Sequence, residues 1–93
     1  MIFLLSCILW VKGDYTTIQE IPLEYGMAQI RVEKSGFVFE ADAMEEQMNS
    51  MKITHPSSQS ETMVVAYQNS LYAKLSIQGM EASSSCEIKK KIQ

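Results

Sequence analysis

Residues 27–40, MAQIRVEKSGFVFE, decide how the chain reads. Ile30 and Val32 alternate with Gln29, Arg31 and Glu33, the period of a strand with one wet face. Glu33-Lys34-Ser35-Gly36 follows as a turn, with a glycine where a positive φ is wanted. Phe37-Val38-Phe39-Glu40 then resumes the alternation. Two apolar runs separated by a glycine turn specify a β-hairpin.

On either side of this hairpin the pattern stays strand-like. Tyr15–Leu23 is rich in Thr, Ile and Tyr, and Pro22 places its end at a sheet edge. Thr62–Tyr67 and Leu71–Gln78 read as a second hairpin turning at Gln68-Asn69-Ser70. In its second half Leu71, Ala73, Leu75 and Ile77 share the inner face, and Tyr72, Lys74, Ser76 and Gln78 the outer one. Gly79 breaks that pattern, Ala82–Ser85 reads as a loop, and Cys86–Ile92 as a last strand.

One segment departs from period two. Asp42 and Glu45 have the spacing of a capping box, and Met44, Met48 and Met51 follow at i, i+4 and i+7, one face of a helix. The expectation is therefore mainly β or α+β: a small antiparallel sheet of about five to seven strands, a hairpin-built sandwich or open barrel, with one short helix near 42–52. Its expected core is Ile30, Val32, Phe37, Phe39, Met44, Met48, Val65, Leu71, Leu75 and Ile77.

The whole chain has 93 residues, 46% of them hydrophobic and 20% charged. That is one domain of ordinary globular composition, too short for a dinucleotide-binding α/β fold or an α/β barrel. Eight basic residues against eleven acidic ones give a net charge of -3. Only Lys89, Lys90 and Lys91 are clustered, which argues against nucleic acid as a partner, because binding it takes cations gathered on one face.

Residues 2–11, IFLLSCILWV, form the longest apolar run. As a helix it would span about 15 Å, half a bilayer. It has the length of the apolar segment of an export signal, with a cleavage position after Gly13. Leu4-Leu5-Ser6-Cys7 resembles a bacterial lipobox, which would imply a lipid-bearing Cys7 and membrane association through the N-terminus. Apolar residues on both faces equally suit a central strand covered on both sides. Residues 1–13 thus read as an export signal or a buried strand, and 14–93 as the single β-rich domain. The corresponding location is extracytoplasmic or secreted, with cytoplasmic as the alternative. Cys7 and Cys86, the two cysteines, are a candidate disulfide between the chain ends.

No catalytic set emerges. His55, the one histidine, stands before Pro56 in a serine-rich stretch and reads as a surface residue. The cysteine and histidine count suits no zinc site, and the four glycines make no phosphate loop. Catalytic residues, metal ligands and cofactors are accordingly not expected. The remaining candidates are binding residues. Seven methionines is a high number, and Met44, Met48 and Met51 could line an adaptable groove, since thioether side chains are flexible and polarizable. Tyr72, pushed outward by strand parity, with Lys74 beside it, is the candidate anchor for another protein. The reading is a non-enzymatic protein-interaction module. Its alternative is a carrier of a small apolar ligand or lipid in a Met-lined cavity.

Overall fold

A computed structural model describes residues 2–44 and 49–91. It contains eight strands: β1 (Ile2–Val11), β2 (Asp14–Pro22), β3 (Met27–Lys34), β4 (Phe37–Met44), β5 (Asn49–His55), β6 (Ser60–Ala66), β7 (Ser70–Ile77) and β8 (Met80–Lys91). They make two four-stranded antiparallel sheets, ordered β2-β1-β8-β7 and β3-β4-β5-β6. The sheets face each other across one apolar core; the mainly β class is as expected, with eight strands in two sheets in place of one sheet of five to seven.

Two-residue turns build most of it. Lys12-Gly13, Ser35-Gly36 and Gln78-Gly79 join β1 to β2, β3 to β4 and β7 to β8, and Tyr25-Gly26 closes a bridge between Glu24 and Met27. In all four both central residues have positive φ. That is the backbone of a type I′ turn, whose twist matches the flanking strands. At position 36 the requirement is the backbone alone, φ 84°, since a Cβ there would meet the His55 ring at an ordinary contact distance of 3.6 Å.

The helix expected near 42–52 is not formed. Asp42 and Met44 end β4, Met51 and Lys52 belong to β5, and the only helical element described is a 3₁₀ turn, Pro56–Ser58. Glu45 and Met48 lie outside the described residues. The reason is visible in β4. Phe37, Phe39, Ala41 and Ala43 are all buried, alternating with Val38, Glu40, Asp42 and Met44. The two small alanines continue the period of two right through the supposed cap, and β5 resumes it with Asn49, Met51 and Ile53 buried. Sheet pairing on both sides of β4 outweighs a local capping signal.

The 62–78 segment also corrects the sequence reading. Both strands exist, but β6 pairs with β5 and β7 with β8, so the chain between them arches from one sheet to the other. Tyr67-Gln68-Asn69 contains no glycine to make a tight hairpin turn. Its carbonyls are instead held from two directions. The Ile88 N–H donates to Asn69 O at 2.7 Å. The Asn49 side-chain Nδ2 donates to Gln68 O at 2.6 Å, while its Oδ1 accepts from the Met44 N–H at 2.6 Å. Asn49 is 3% exposed. Asn49→Ala leaves two backbone groups without these partners and should cost about 1–3 kcal/mol, read as a drop in urea midpoint at constant m-value. An unchanged midpoint would show that the arch holds without it.

The first strand is central, between β2 and β8. Leu5, Cys7, Leu9 and Val11 face the core. Its other face is only partly covered: Ile8 is 49% exposed and Trp10 half-buried, so the strand is not sealed on both sides as its composition suggested. Opposite Ser6, β2 carries a bulge at Glu20, which has φ 55° and donates its N–H to Ser6 Oγ at 3.1 Å. A bulge on an edge strand discourages edge-to-edge pairing. Lys34 Nζ ties β3 to β2 through Asp14 Oδ2 at 3.0 Å and Thr16 Oγ1 at 2.7 Å.

Residues 82–85, expected as a loop, lie within β8, with Ala82 and Ser84 buried. Small side chains suit a strand flanked on both sides, and Cys86 sits directly opposite Cys7 on β1. The two form a disulfide. Of the expected core, Phe37, Phe39 and Leu71 are buried, while Ile30, Val32, Leu75 and Ile77 pack half-buried at its margin. Val65 is 46% exposed on the outer face, and Met44 is half-buried there too.

Candidate functional site

The sandwich presents two outer faces, and they differ in chemistry. On β3-β4-β5-β6 the register places Met27 beside Met44, Gln29 beside Asp42 and then Ser50 and Val65, and Lys52 beside Met63. Met27, Met44, Met63 and Val65 line a shallow depression of about 300 Å³ with Gln29, Asp42 and Ser50 around it. Met27 is 53% exposed, Met63 56% and Val65 46%, and the fully exposed Tyr25 and the exposed Tyr67 stand at the same end of this sheet. Apolar side chains gathered at one end of a solvent face, bordered by polar ones, have the anatomy of a contact surface. A row of charges closes the border: Arg31, Glu40 and Lys52 lie side by side across three strands, and Lys52 Nζ reaches Glu61 Oε2 at 3.6 Å.

The candidate methionines are therefore split. Met44 belongs to the surface depression. Met51, 1% exposed on β5, is packed into the core. Met48 lies outside the described residues. The helical spacing that grouped the three does not exist, because Met44 and Met51 stand on strands and face opposite sides of their sheet. Met27 and Met63, which join Met44, were legible only as outward positions of two strands far apart in sequence. Pairing through β4 and β5 is what brings them together. Between the sheets, the space bordered by Leu5, Ala41, Asn49, Leu71 and Ile88 amounts to about 10 Å³, room for one water at most.

Tyr72 and Lys74 lie on the other outer face, that of β2-β1-β8-β7, with the parity expected of them. Tyr72 is 59% exposed. Lys74 is exposed and ion-paired with Glu81 across the β7–β8 turn. The hydrogen bond to Glu81, and then its negative charge, raise the Lys74 pKa above the ordinary lysine value. Tyr72 has Ser85 beside it, then Ile8 and Thr17; Lys74 has Ser83, then Trp10 and Tyr15.

His55 ends β5 rather than sitting free on a loop. Its ring lies 4.8 Å from that of Phe37, and Nδ1 is 2.7 Å from Ser58 Oγ, so it clamps the Pro56–Ser58 turn onto the sheet. Among the described residues no group of three or more His, Cys, Asp or Glu side chains converges as a metal site would require, and no helix is long and apolar enough to cross a membrane. Compared with protein-family models, curated proteins and solved structures, the chain has no significant match to any of them.

Proposed function

We propose that this protein is a non-enzymatic protein-binding module of an oxidising, extracytoplasmic compartment, and that its contact surface is the Met27, Met44, Met63 and Val65 end of β3-β4-β5-β6. The observation that carries the reading is the clustering. Of the eight exposed large hydrophobics described, Tyr25, Met27, Met63, Val65 and Tyr67 stand at this one end. Exposed apolar area of this kind gains most from a partner that removes it from water. Methionines adapt their shape to what they cover, and the rim of Gln29, Asp42 and Ser50 supplies hydrogen bonds. The disulfide supports the compartment, since such a bond persists where thiols are not kept reduced. A sulfur in that bond carries no lipid, so in this reading residues 2–11 serve the domain as β1.

The test is a photo-crosslinking amino acid placed at position 63 in cells of the natural host. A discrete protein adduct is expected there, and none from the same probe at Gln78, on a turn of the other sheet. Adducts absent at both 63 and 27 would overturn the reading. With the crosslinked partner in hand, Met63→Asp should weaken binding at least tenfold. It should leave stability within about 0.5 kcal/mol, as befits an exposed position.

A further inference from the structure

The outer face of β2-β1-β8-β7 carries a different surface. Along β8 the outward residues Ser83 and Ser85 are small, and they lie between Tyr72 and Lys74 on β7 and Ile8 and Trp10 on β1. The result is a trough with a hydroxyl floor. Toward the Ser85 end it widens into a concavity of about 470 Å³, whose lining includes Ser6, Thr17, Gln19, Ser70, Ser85 and Glu87. Ser6 accepts the Glu20 N–H. Among the described residues the Thr17, Gln19, Ser70 and Ser85 side chains make no hydrogen bond within the protein. The lysines here are matched: Lys89 Nζ lies 3.0 Å from Glu87 Oε1, and Lys74 pairs with Glu81.

We propose that this trough binds a neutral oligosaccharide. Its charge balance sets the class. An anionic ligand would meet Glu20 and Glu87 at the concavity, where the lining lysine, Lys89, is already paired with Glu87. Among the described residues Ile8 is the one exposed aliphatic side chain on this face, so what it offers is hydroxyl and aromatic rather than a continuous aliphatic patch. A sugar ring offers both things the trough can use. Its hydroxyls exchange hydrogen bonds with Ser85, Thr17, Gln19 and the Glu87 carboxylate, which accepts from two at once. Its flat C–H face stacks on an aromatic ring. Tyr72 on β7 and Tyr15 on β2, 59% and 67% exposed, stand on the two edge strands. Three strand spacings across the sheet, about 14 Å, and a two-residue offset along the strands separate them, which suits an oligosaccharide crossing the strands rather than a single sugar. Trp10 stands next to Tyr15 in the same row.

The site is independent of the methionine face, which lies on the opposite side of the sandwich. The experiment is calorimetric titration of the full chain with cellohexaose, chitohexaose and mannohexaose, each to about 10 mM. At least one should bind with a dissociation constant below about 1 mM. For that sugar, Tyr72→Ala and Tyr15→Ala should each lower affinity at least tenfold, Tyr72→Phe should keep it within about threefold, and Met63→Asp should leave it unchanged. Thermal melting of each variant shows that the fold is retained. No binding by any of the three sugars, or binding that survives both alanine variants in folded protein, overturns the proposal.

Discussion

Phe39→Ala is expected to remove about 3–5 kcal/mol of stability. Native domains have only about 5–15 kcal/mol in hand, so the variant should sit at the edge of folding. The Phe39 side chain is 1% exposed on an interior strand, opposite Val32 on β3 and Ile53 on β5, with its ring centroid 6.4 Å from that of the fully buried Phe37. Truncation leaves a ring-sized hole that strands paired on both sides of β4 cannot close, so the loss of burial is compounded by the cavity. Val38→Ala, one residue away on the outer face, should cost less than about 1 kcal/mol. Urea unfolding at constant m-value checks both. A small loss at 39 with a large one at 38 would mean that β4 presents the opposite face to the core.

Removing the disulfide is expected to cost about 4 kcal/mol. The bond joins residues 79 apart in sequence. In the chain-entropy account a crosslink that long sharply restricts the unfolded ensemble. Cys7 and Cys86 are 1% and 6% exposed at a register pair in the middle of their sheet, so the native state has little freedom to relax around the missing link. The double variant Cys7→Ala with Cys86→Ala, and the wild type unfolded under reducing conditions, should fall by similar amounts. A loss below about 1 kcal/mol in both would show that β1 and β8 hold each other through backbone pairing and packing alone.

How much of this was legible in the chain depends on the range of the interaction responsible. Glycine turns and period-two alternation are local, so the 27–41 hairpin, the strand read over Tyr15–Leu23 and found over Asp14–Pro22, and the outward parity of Tyr72 could be read directly. Strand partners are not local. Residues 62–78 show two strands in either arrangement; pairing of β6 with β5 and of β7 with β8 puts them in different sheets, and the hydrogen bonds to Gln68 and Asn69, from Asn49 and Ile88, hold the arch between them. The methionine spacing misled for a related reason. A run of Met, Glu and Gln has good helix propensity, whereas the sheet contacts of Ala41 and Ala43 involve residues ten or more positions away. Likewise Met27 and Met63 have no relation in sequence, and nothing short of the β3-β4-β5-β6 order places them at one surface. A contact surface drawn from three strands of one face is invisible to any reading that follows the chain.

The position of β8 between β1 and β7 bears on how the molecule is made. Strands β3 to β6 pair only with their neighbours in the chain, so that sheet can assemble from successive short loop closures as the polypeptide leaves the ribosome. The other sheet waits. Of the eight strands β1 is made first and its central partner β8 last, and until β8 arrives both β1 and β7 lack that neighbour. Between the completion of β6 and the arrival of β8 one sheet is thus finished and the other is not, with the apolar Leu5, Leu9 and Val11 side of β1 in need of cover. The slow step should be the docking of β8, and a ribosome stalled before residue 80 should display a chain that chaperones hold and that pairs readily with other unfinished copies of itself.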